Sequence, residues 1–272
     1  MIDRKTPSDV RVVLFGGGRG YLARLLNGNR RTFTNLDIGD IAEPFIPTIQ
    51  HDMEQPIERE RLVQNGEAIS VITPFSLEYT DPRLTTATIA DVLAKGEMYV
   101  CACYDSRSAG ITAGRKQKEL LPLLQRIKQF IGNGSSILPI KELERLQTKI
   151  LRLFRLKLPN LFIIDGSILS AMREKFPQGG TTIPSQKAQI VLVNIALADK
   201  GLITRAELTR ITNEITEACQ QEIDLMGMSL EKKIESPADL ANFVDKGLRL
   251  VDGENFQVNG QPFAIVGTFE KI

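Results

Sequence analysis

Between Arg11 and Leu26 the chain reads RVVLFGGGRGYLARLL, an apolar stretch that runs into four glycines within five residues and then into a helical pattern. Val10 to Phe15 is apolar except at Arg11, which suits a strand buried on both faces of a parallel sheet. Gly16, Gly17, Gly18 and Gly20 end that strand. Glycine permits positive φ and brings backbone N–H groups close to whatever lies above the strand end. Tyr21, Leu22, Leu25 and Leu26 open an amphipathic helix. Strand, glycine-rich turn and helix in this order make either a nucleotide-type site at the carboxyl end of a sheet or a tight structural connection. The dinucleotide fingerprint G-x-G-x-x-G fits poorly, because Tyr21 stands where its third glycine belongs. A P-loop is excluded, since no Gly-Lys-Ser/Thr closes the turn.

The elements that follow arrive in the order such a site needs. Thr32 to Ile38 (TFTNLDI) reads as a second strand whose Asp37 comes 17 residues after Gly20. A carboxylate at that strand tip can accept two hydrogen bonds from ribose hydroxyls; as a structural residue it would cap a helix or turn. Phe45 to Gln50 reads as a weaker third strand that delivers His51, Asp52 and Met53 to the same edge. Asp52 there can accept from an exocyclic amine such as adenine's, and His51 reads as a surface or satisfied histidine rather than a base. Ala68 to Thr73 is a fourth strand broken by Pro74 and Phe75, then come SLEYTDP, a helix from Leu84 to Leu93 closed by Lys95 and Gly96, and a fifth strand, MYVCACY. The alternation predicts an α/β fold with a doubly wound, mostly parallel sheet.

Composition narrows the function. The net charge of +1 divides into 11 Lys/Arg against 15 Asp/Glu over residues 1–105 and 23 against 18 over 106–272, an asymmetry of −4 and +5. That is far from the basic footprint of a nucleic-acid binder, and no tryptophan with four tyrosines offers little surface for base stacking, so no nucleic-acid partner is expected. The opening residues lack the apolar core of a signal peptide and no apolar run is long enough for a membrane helix, so the expectation is a cytoplasmic protein without a membrane partner. Cys101 and Cys103 read as small buried hydrophobes; with one histidine in the chain, no metal site is expected.

The order of residues resembles the class I, Rossmann-like methyltransferases that use S-adenosylmethionine. Their first motif is a strand, an acidic residue and Gly-x-Gly-x-Gly; this chain shows Leu14-Phe15-Gly16-Gly17-Gly18-Arg19-Gly20. Asp37 in NLDIGD matches the acid closing the second strand, and Asp52 in QHDMEQPI the aspartate of the third motif. SLEYTDP and the Lys95-Gly96 turn before MYVCACY are similar to the family's fourth segment. Near the end, LRLVDGENFQVNGQPFAIVGTFEKI looks like its closing hairpin, whose last strand lies antiparallel in the sheet. The resemblance implies S-adenosylmethionine as cofactor, held by Gly16, Gly17, Gly18, Gly20, Asp37, Ile38, Asp52, Met53 and Phe75. Phe75 is placed either to stack on adenine or to pack beneath the sheet edge. One position departs from the family: Leu14 stands where an acid fixes the amino-acid end of the cofactor.

Between the fifth strand and the hairpin the pattern is helical: Lys116 to Ile131, a break at GNGSS, Lys141 to Leu156, Ser167 to Phe176, Gln186 to Lys200 with Ser185 as N-cap, Arg205 to about Met226 with Thr204 and Glu207 as a capping box, and Pro237 to Lys246. In Lys141 to Leu156 a face of Leu143, Leu146, Ile150 and Leu153 opposes a stripe of Lys141, Arg145, Lys149 and Arg152, which would meet an acidic substrate or partner or simply face water. The division expected is a cofactor-binding core at 1–105 and 247–272, with a helical insertion at 106–246 that covers the substrate or forms a homodimer surface. The activity implied is methyl transfer to a small-molecule acceptor held between the sheet edge and that insertion. The alternative is a catalytically inactive, methyltransferase-like protein that recognises a nucleoside ligand or a protein partner. Glu78, Tyr79, Asp81, Tyr104 and Asp105 lie near strand ends, each as candidate catalytic or structural residues.

Overall fold

A computed structural model describes residues 10–26, 32–39, 44, 46–64, 66–132, 139–176, 183–224 and 226–272. The chain divides into two compact units, Met1–Ile111 with Met226–Ile272, and Thr112–Leu225.

The first unit is built on strands β1 (Arg11–Phe15), β2 (Phe33–Asp37), β3 (Thr48–Gln50), β4 (Ile69–Pro74), β5 (Met98–Tyr104), β6 (Leu248–Val258) and β7 (Gln261–Lys271). They form one sheet in the order β3-β2-β1-β4-β5-β7-β6. The first five run parallel, while β7 is antiparallel to both β5 and β6. This is the α/β, doubly wound, mostly parallel sheet with an antiparallel last strand that the sequence predicts. Winding reverses between β1 and β4, which are neighbours, so the crevice above their carboxyl ends is the topological switch point of the sheet.

Alternation along β1 explains why its residues are apolar without a break. Val13 and Phe15 enter a core with Leu36, Tyr99, Cys101, Cys103 and Phe269, while Val12 and Leu14 face the opposite way, into a cluster with Ala23, Phe33, Ile72 and Val100. Each such fully buried side chain contributes about 1.5–3 kcal/mol by leaving water. Tyr99 is fully buried and stacks on Phe269 at 5.6 Å, with its hydroxyl 2.8 Å from Thr73 Oγ1. Burial pushes the Tyr99 hydroxyl well above its ordinary range and the Cys101 thiol up to about 11, so both stay protonated. The helices of this unit are α1 (Tyr21–Leu26) and α2 (Pro82–Val92), with α8 (Gly227–Glu231) and α9 (Pro237–Ala241) before the hairpin.

The second unit holds α3 (Ala109–Gly132) from residue 112 onward, α4 (Ile140–Phe154), α5 (Gly166–Glu174), α6 (Pro184–Asp199) and α7 (Arg205–Asp224). Its core joins Leu120, Leu124 and Ile127 of α3 to Leu143, Leu146 and Ile150 of α4 and to Val191, Leu192 and Ile195 of α6. Helix α6 is apolar around most of its circumference, the pattern of a helix surrounded by protein. Its buried Lys187 is an exception that is satisfied: Nζ donates to Gln117 Oε1 at 3.2 Å and to Glu222 Oε1 at 2.5 Å.

Several boundaries differ from the sequence reading. The third strand begins at Thr48, and Phe45 lies outside the described residues. Helix α2 starts at Pro82 because Asp81 caps it, accepting from Arg83 N at 2.9 Å. Ser185 is not a cap: Pro184 already occupies the first turn of α6, where its missing N–H costs nothing. Helix α9 stops at Ala241 rather than Lys246, and α3 starts at Ala109 rather than Lys116. Most of the GNGSS break lies outside the described residues. No described helix is long and apolar enough to cross a membrane.

Candidate active site at the switch point

The glycine turn is shaped by the strand ends on either side. Gly16 N–H donates to Leu36 O at 2.7 Å, prolonging the pairing of β1 with β2. Its backbone then turns to φ +70°, and a Cβ there would stand 2.3 Å from Ser76 Cβ. Ser76, buried at the start of the single 3-10 turn that follows β4, donates its hydroxyl to Phe15 O. From the other side β2 supplies two polar side chains at alternate positions, which therefore share a face. Asn35 Oδ1 accepts from Gly17 N at 3.0 Å and its Nδ2 donates to Gly18 O at 2.8 Å. Asp37 Oδ2 accepts from Gly18 N at 3.0 Å while Oδ1 accepts from Gly39 N at 3.1 Å. Gly20 N–H closes the turn on Gly17 O at 3.0 Å before α1 begins.

The other expected cofactor residues fall into two places. Asp52 and Met53 follow β3 on the Asp37 side: His51 N–H donates to Asp37 O at 2.9 Å, and Asp52 Oδ1 accepts from Glu54 N at 3.0 Å. Met53 is buried and its Cε lies beside Gly16. Ile38 is 63% exposed next to Asp37. Phe75, by contrast, turns toward β5 and β7. Its backbone is left-handed at φ 63°, and its ring lies 4.7 Å from Tyr104 and 6.2 Å from Phe263, to which Phe256 adds an edge contact at 6.2 Å. The strand order thus separates an aspartate side, over β1, β2 and β3, from an aromatic side, over β4, β5 and the hairpin.

The strand-end carboxylates are engaged in structure. Glu78, 2% exposed, accepts from Tyr104 N at 2.8 Å. Asp105, 1% exposed, is paired with Arg107 at 2.7 Å; burial opposes its charge, but the guanidinium and backbone of Arg107 hold its carboxyl below the usual range. Burial and the neighbouring Glu78 raise the hydroxyls of Tyr79 and Tyr104, so at neutral pH both are donors rather than phenolate bases. Cys101 and Cys103 are buried and unlinked to any other cysteine. Among the described residues no cluster of His, Cys, Asp or Glu is arranged to hold a metal ion.

Asn35, Ser76 and the hairpin aromatics Phe256 and Phe263 were not singled out by the sequence. Asn35 carried a readable signal, an amide two residues before Asp37 and so on the same face of the strand.

A parallel sheet reversing at β1, a glycine turn tied to the acid at the end of β2, and an antiparallel closing hairpin now stand together. This is the strand order and turn arrangement that the resemblance to class I methyltransferases implies. No protein-family profile matches the chain. No curated protein matches it either. Solved structures similar to it include Streptomyces venezuelae DesVI, at 17% identity and TM-score 0.30 over 38% of this chain and 46% of that one. A second is an S-adenosylmethionine-dependent methyltransferase from Mesorhizobium loti, at 18% and 0.30 over 39% and 52%. A third is a SAM-dependent methyltransferase from Archaeoglobus fulgidus, at 11% and 0.36 over 98% of this chain and 89% of that one. In the first two the chain spans about half the length of the structure it matches.

Proposed function

We propose that the chain binds S-adenosylmethionine at the switch point and transfers its methyl group to a small-molecule acceptor. The observation that carries this reading is the hydrogen bond from Gly18 N–H to Asp37, which makes the turn and the strand-end acid one continuous polar surface. The residues present fit the nucleoside end of such a cofactor. An ionised carboxylate offers about four acceptor positions, so Asp37 can hold Gly18 and Gly39 and still receive a ribose diol. Among the described residues nothing stands within 4 Å of where a Gly18 side chain would begin, exposed Ile38 offers an apolar flank, and Asp52 lies beyond the next strand. What the cofactor supplies is a methyl group already activated by positive charge. The protein then has chiefly to align a nucleophile, and proximity accounts for much of such a rate. Tyrosines that stay protonated and carboxylates held in structure suit a site that positions its acceptor rather than ionising it.

Leu14 favours a second reading, a nucleoside-binding protein without turnover. It is fully buried among apolar side chains, so the position offers nothing polar to the amino-acid end of the cofactor. Calorimetric titration with S-adenosylmethionine, S-adenosylhomocysteine and NAD tests the site. Both sulfur nucleosides are expected to bind and NAD is not; failure of both to bind removes the cofactor assignment. Asp37→Asn keeps an acceptor for Gly18 N–H and is expected to weaken binding by about 1 kcal/mol or more through loss of charge-assisted hydrogen bonds. Equal affinity in this variant would remove the role given to Asp37 alone. Tight binding with no S-adenosylhomocysteine formed across a panel of oxygen, nitrogen and sulfur acceptors would select the second reading.

A further inference from the structure

The charge of the second unit is concentrated in one place. Residues 126–157 carry eight Lys/Arg and two Asp/Glu, a net +6 in a chain whose total is +1. Four of these cations, Arg126 of α3 and Arg145, Lys149 and Arg152 of α4, line a cleft of about 410 Å³ together with Glu142, Leu146 and Thr148. A second cleft shares Thr148 and Arg152 and continues along α4 to Arg155. From Arg145 to Arg155 the row is about 15 Å long at the rise of a helix.

The row differs from an ordinary solvated helix face. Arg145 and Lys149 stand four residues apart, Lys149 and Arg152 three, and like charges at these spacings repel. On α7 the same spacing joins Arg210 to Glu214 at 2.6 Å. The side chains of Arg145, Lys149 and Arg152 have no hydrogen bond or ion pair among the described residues, and Glu144, next to them, bonds Asn160 at 2.8 Å instead. Arg126 lies over the Phe130 ring at 5.7 Å and lines the cleft from α3.

We propose that this cleft binds a single-stranded nucleic acid through its phosphodiester backbone. Three of its four cations are arginines, whose planar fork matches phosphate oxygens in pairs. The length of the row exceeds what one phosphate group can occupy and suits a strand that presents an anion every few ångströms. A membrane surface fits less well, because Leu143, Leu146 and Ile150, the apolar face that an interfacial helix would insert, are buried in the core of the unit. No aromatic side chain among the described residues lines the cleft, so recognition is of backbone rather than base. The near-neutral total charge, the ground for expecting no nucleic-acid partner, averages out this local excess.

The test is fluorescence anisotropy of a labelled uridine 20-mer with the full chain between 50 and 200 mM salt. Four backbone contacts predict a log–log salt slope of about −3, an affinity loss of roughly fiftyfold across that range. Arg145→Gln/Lys149→Gln/Arg152→Gln, all exposed positions, is expected to lose at least about tenfold at 50 mM salt and to flatten the slope toward about −0.7. Arg83→Gln/Lys95→Gln/Lys175→Gln removes equal charge from exposed positions elsewhere and is expected to bind like the parent. The proposal is overturned if the parent does not bind, if both triple variants lose equally, if inorganic tripolyphosphate at equal phosphate displaces the strand completely, or if phosphatidylserine vesicles bind in its place.

Discussion

Gly16→Ala is expected to destabilise the first unit by about 2–4 kcal/mol and, on the function proposed above, to abolish binding of S-adenosylmethionine. Two costs combine at this position. A side chain at φ +70° sits in the left-handed region, at about 1–2 kcal/mol for a non-glycine residue. The added methyl would also lie 2.3 Å from Ser76 Cβ and 3.2 Å from Met53 Cε. Ser76 cannot swing aside freely, since it is buried and its hydroxyl bonds Phe15 O, so relief requires moving β4 away from β1 at the switch point. Urea denaturation measures the first effect and calorimetry the second. Gly18→Ala is the companion: a Cβ there meets nothing among the described residues within 4 Å, so only the conformational cost of φ +55°, about 1 kcal/mol, should appear. Equal stability of the parent and the Gly16 variant would contradict the contact between the turn and Ser76.

What the sequence made legible was whatever repeats along the chain. The apolar run of β1, the glycines after it and the carboxylates at the ends of the next two strands have fixed spacings, and the doubly wound order follows from them. Termini of elements were less legible where a cap depends on side-chain reach: Asp81 captures Arg83 N and starts α2 early, and Pro184 rather than Ser185 opens α6. Residues that act across the sheet were not legible at all. Ser76 lies 61 residues from Phe15, and Phe263 meets Tyr104 only because β7 folds back antiparallel to β5. Asp37 reads either as a ligand for ribose or as a cap of a helix or turn, and its partner in the glycine turn, Gly18 N–H, is what the sequence alone cannot reveal.

Arg59→Met should lower the stability of the first unit at neutral pH by about 2–3 kcal/mol, a fall of roughly 5–10 °C in Tm. Arg59 binds Glu97 in a two-pronged pair at 2.6 and 2.7 Å, and its remaining N–H groups donate to Val92 O at 2.6 Å and Glu67 O at 2.7 Å. One side chain thus ties the end of α2, the approach to β4 and the turn before β5. Glu97 in turn accepts from Ile69 N at 2.9 Å and Ala94 N at 2.7 Å. Its side chain is only 12% exposed, so removing the guanidinium leaves a largely buried carboxylate with two backbone donors and no countercharge. Burial alone would raise Glu97, but Arg59 and the two N–H groups hold it below its ordinary 4.5. The sign of the pH dependence follows. A carboxyl lowered in the folded state stabilises it above the unfolded pKa, and that stabilisation is lost as pH falls below about 4.5 and through the folded value. Without Arg59 the folded-state value rises, so the variant takes up its proton earlier. The gap between parent and variant is therefore widest at neutral pH and closes on acidification, which urea titrations at pH 7 and pH 4 would show; a gap that stayed constant would mean that Arg59 acts through its carbonyl contacts and not through Glu97.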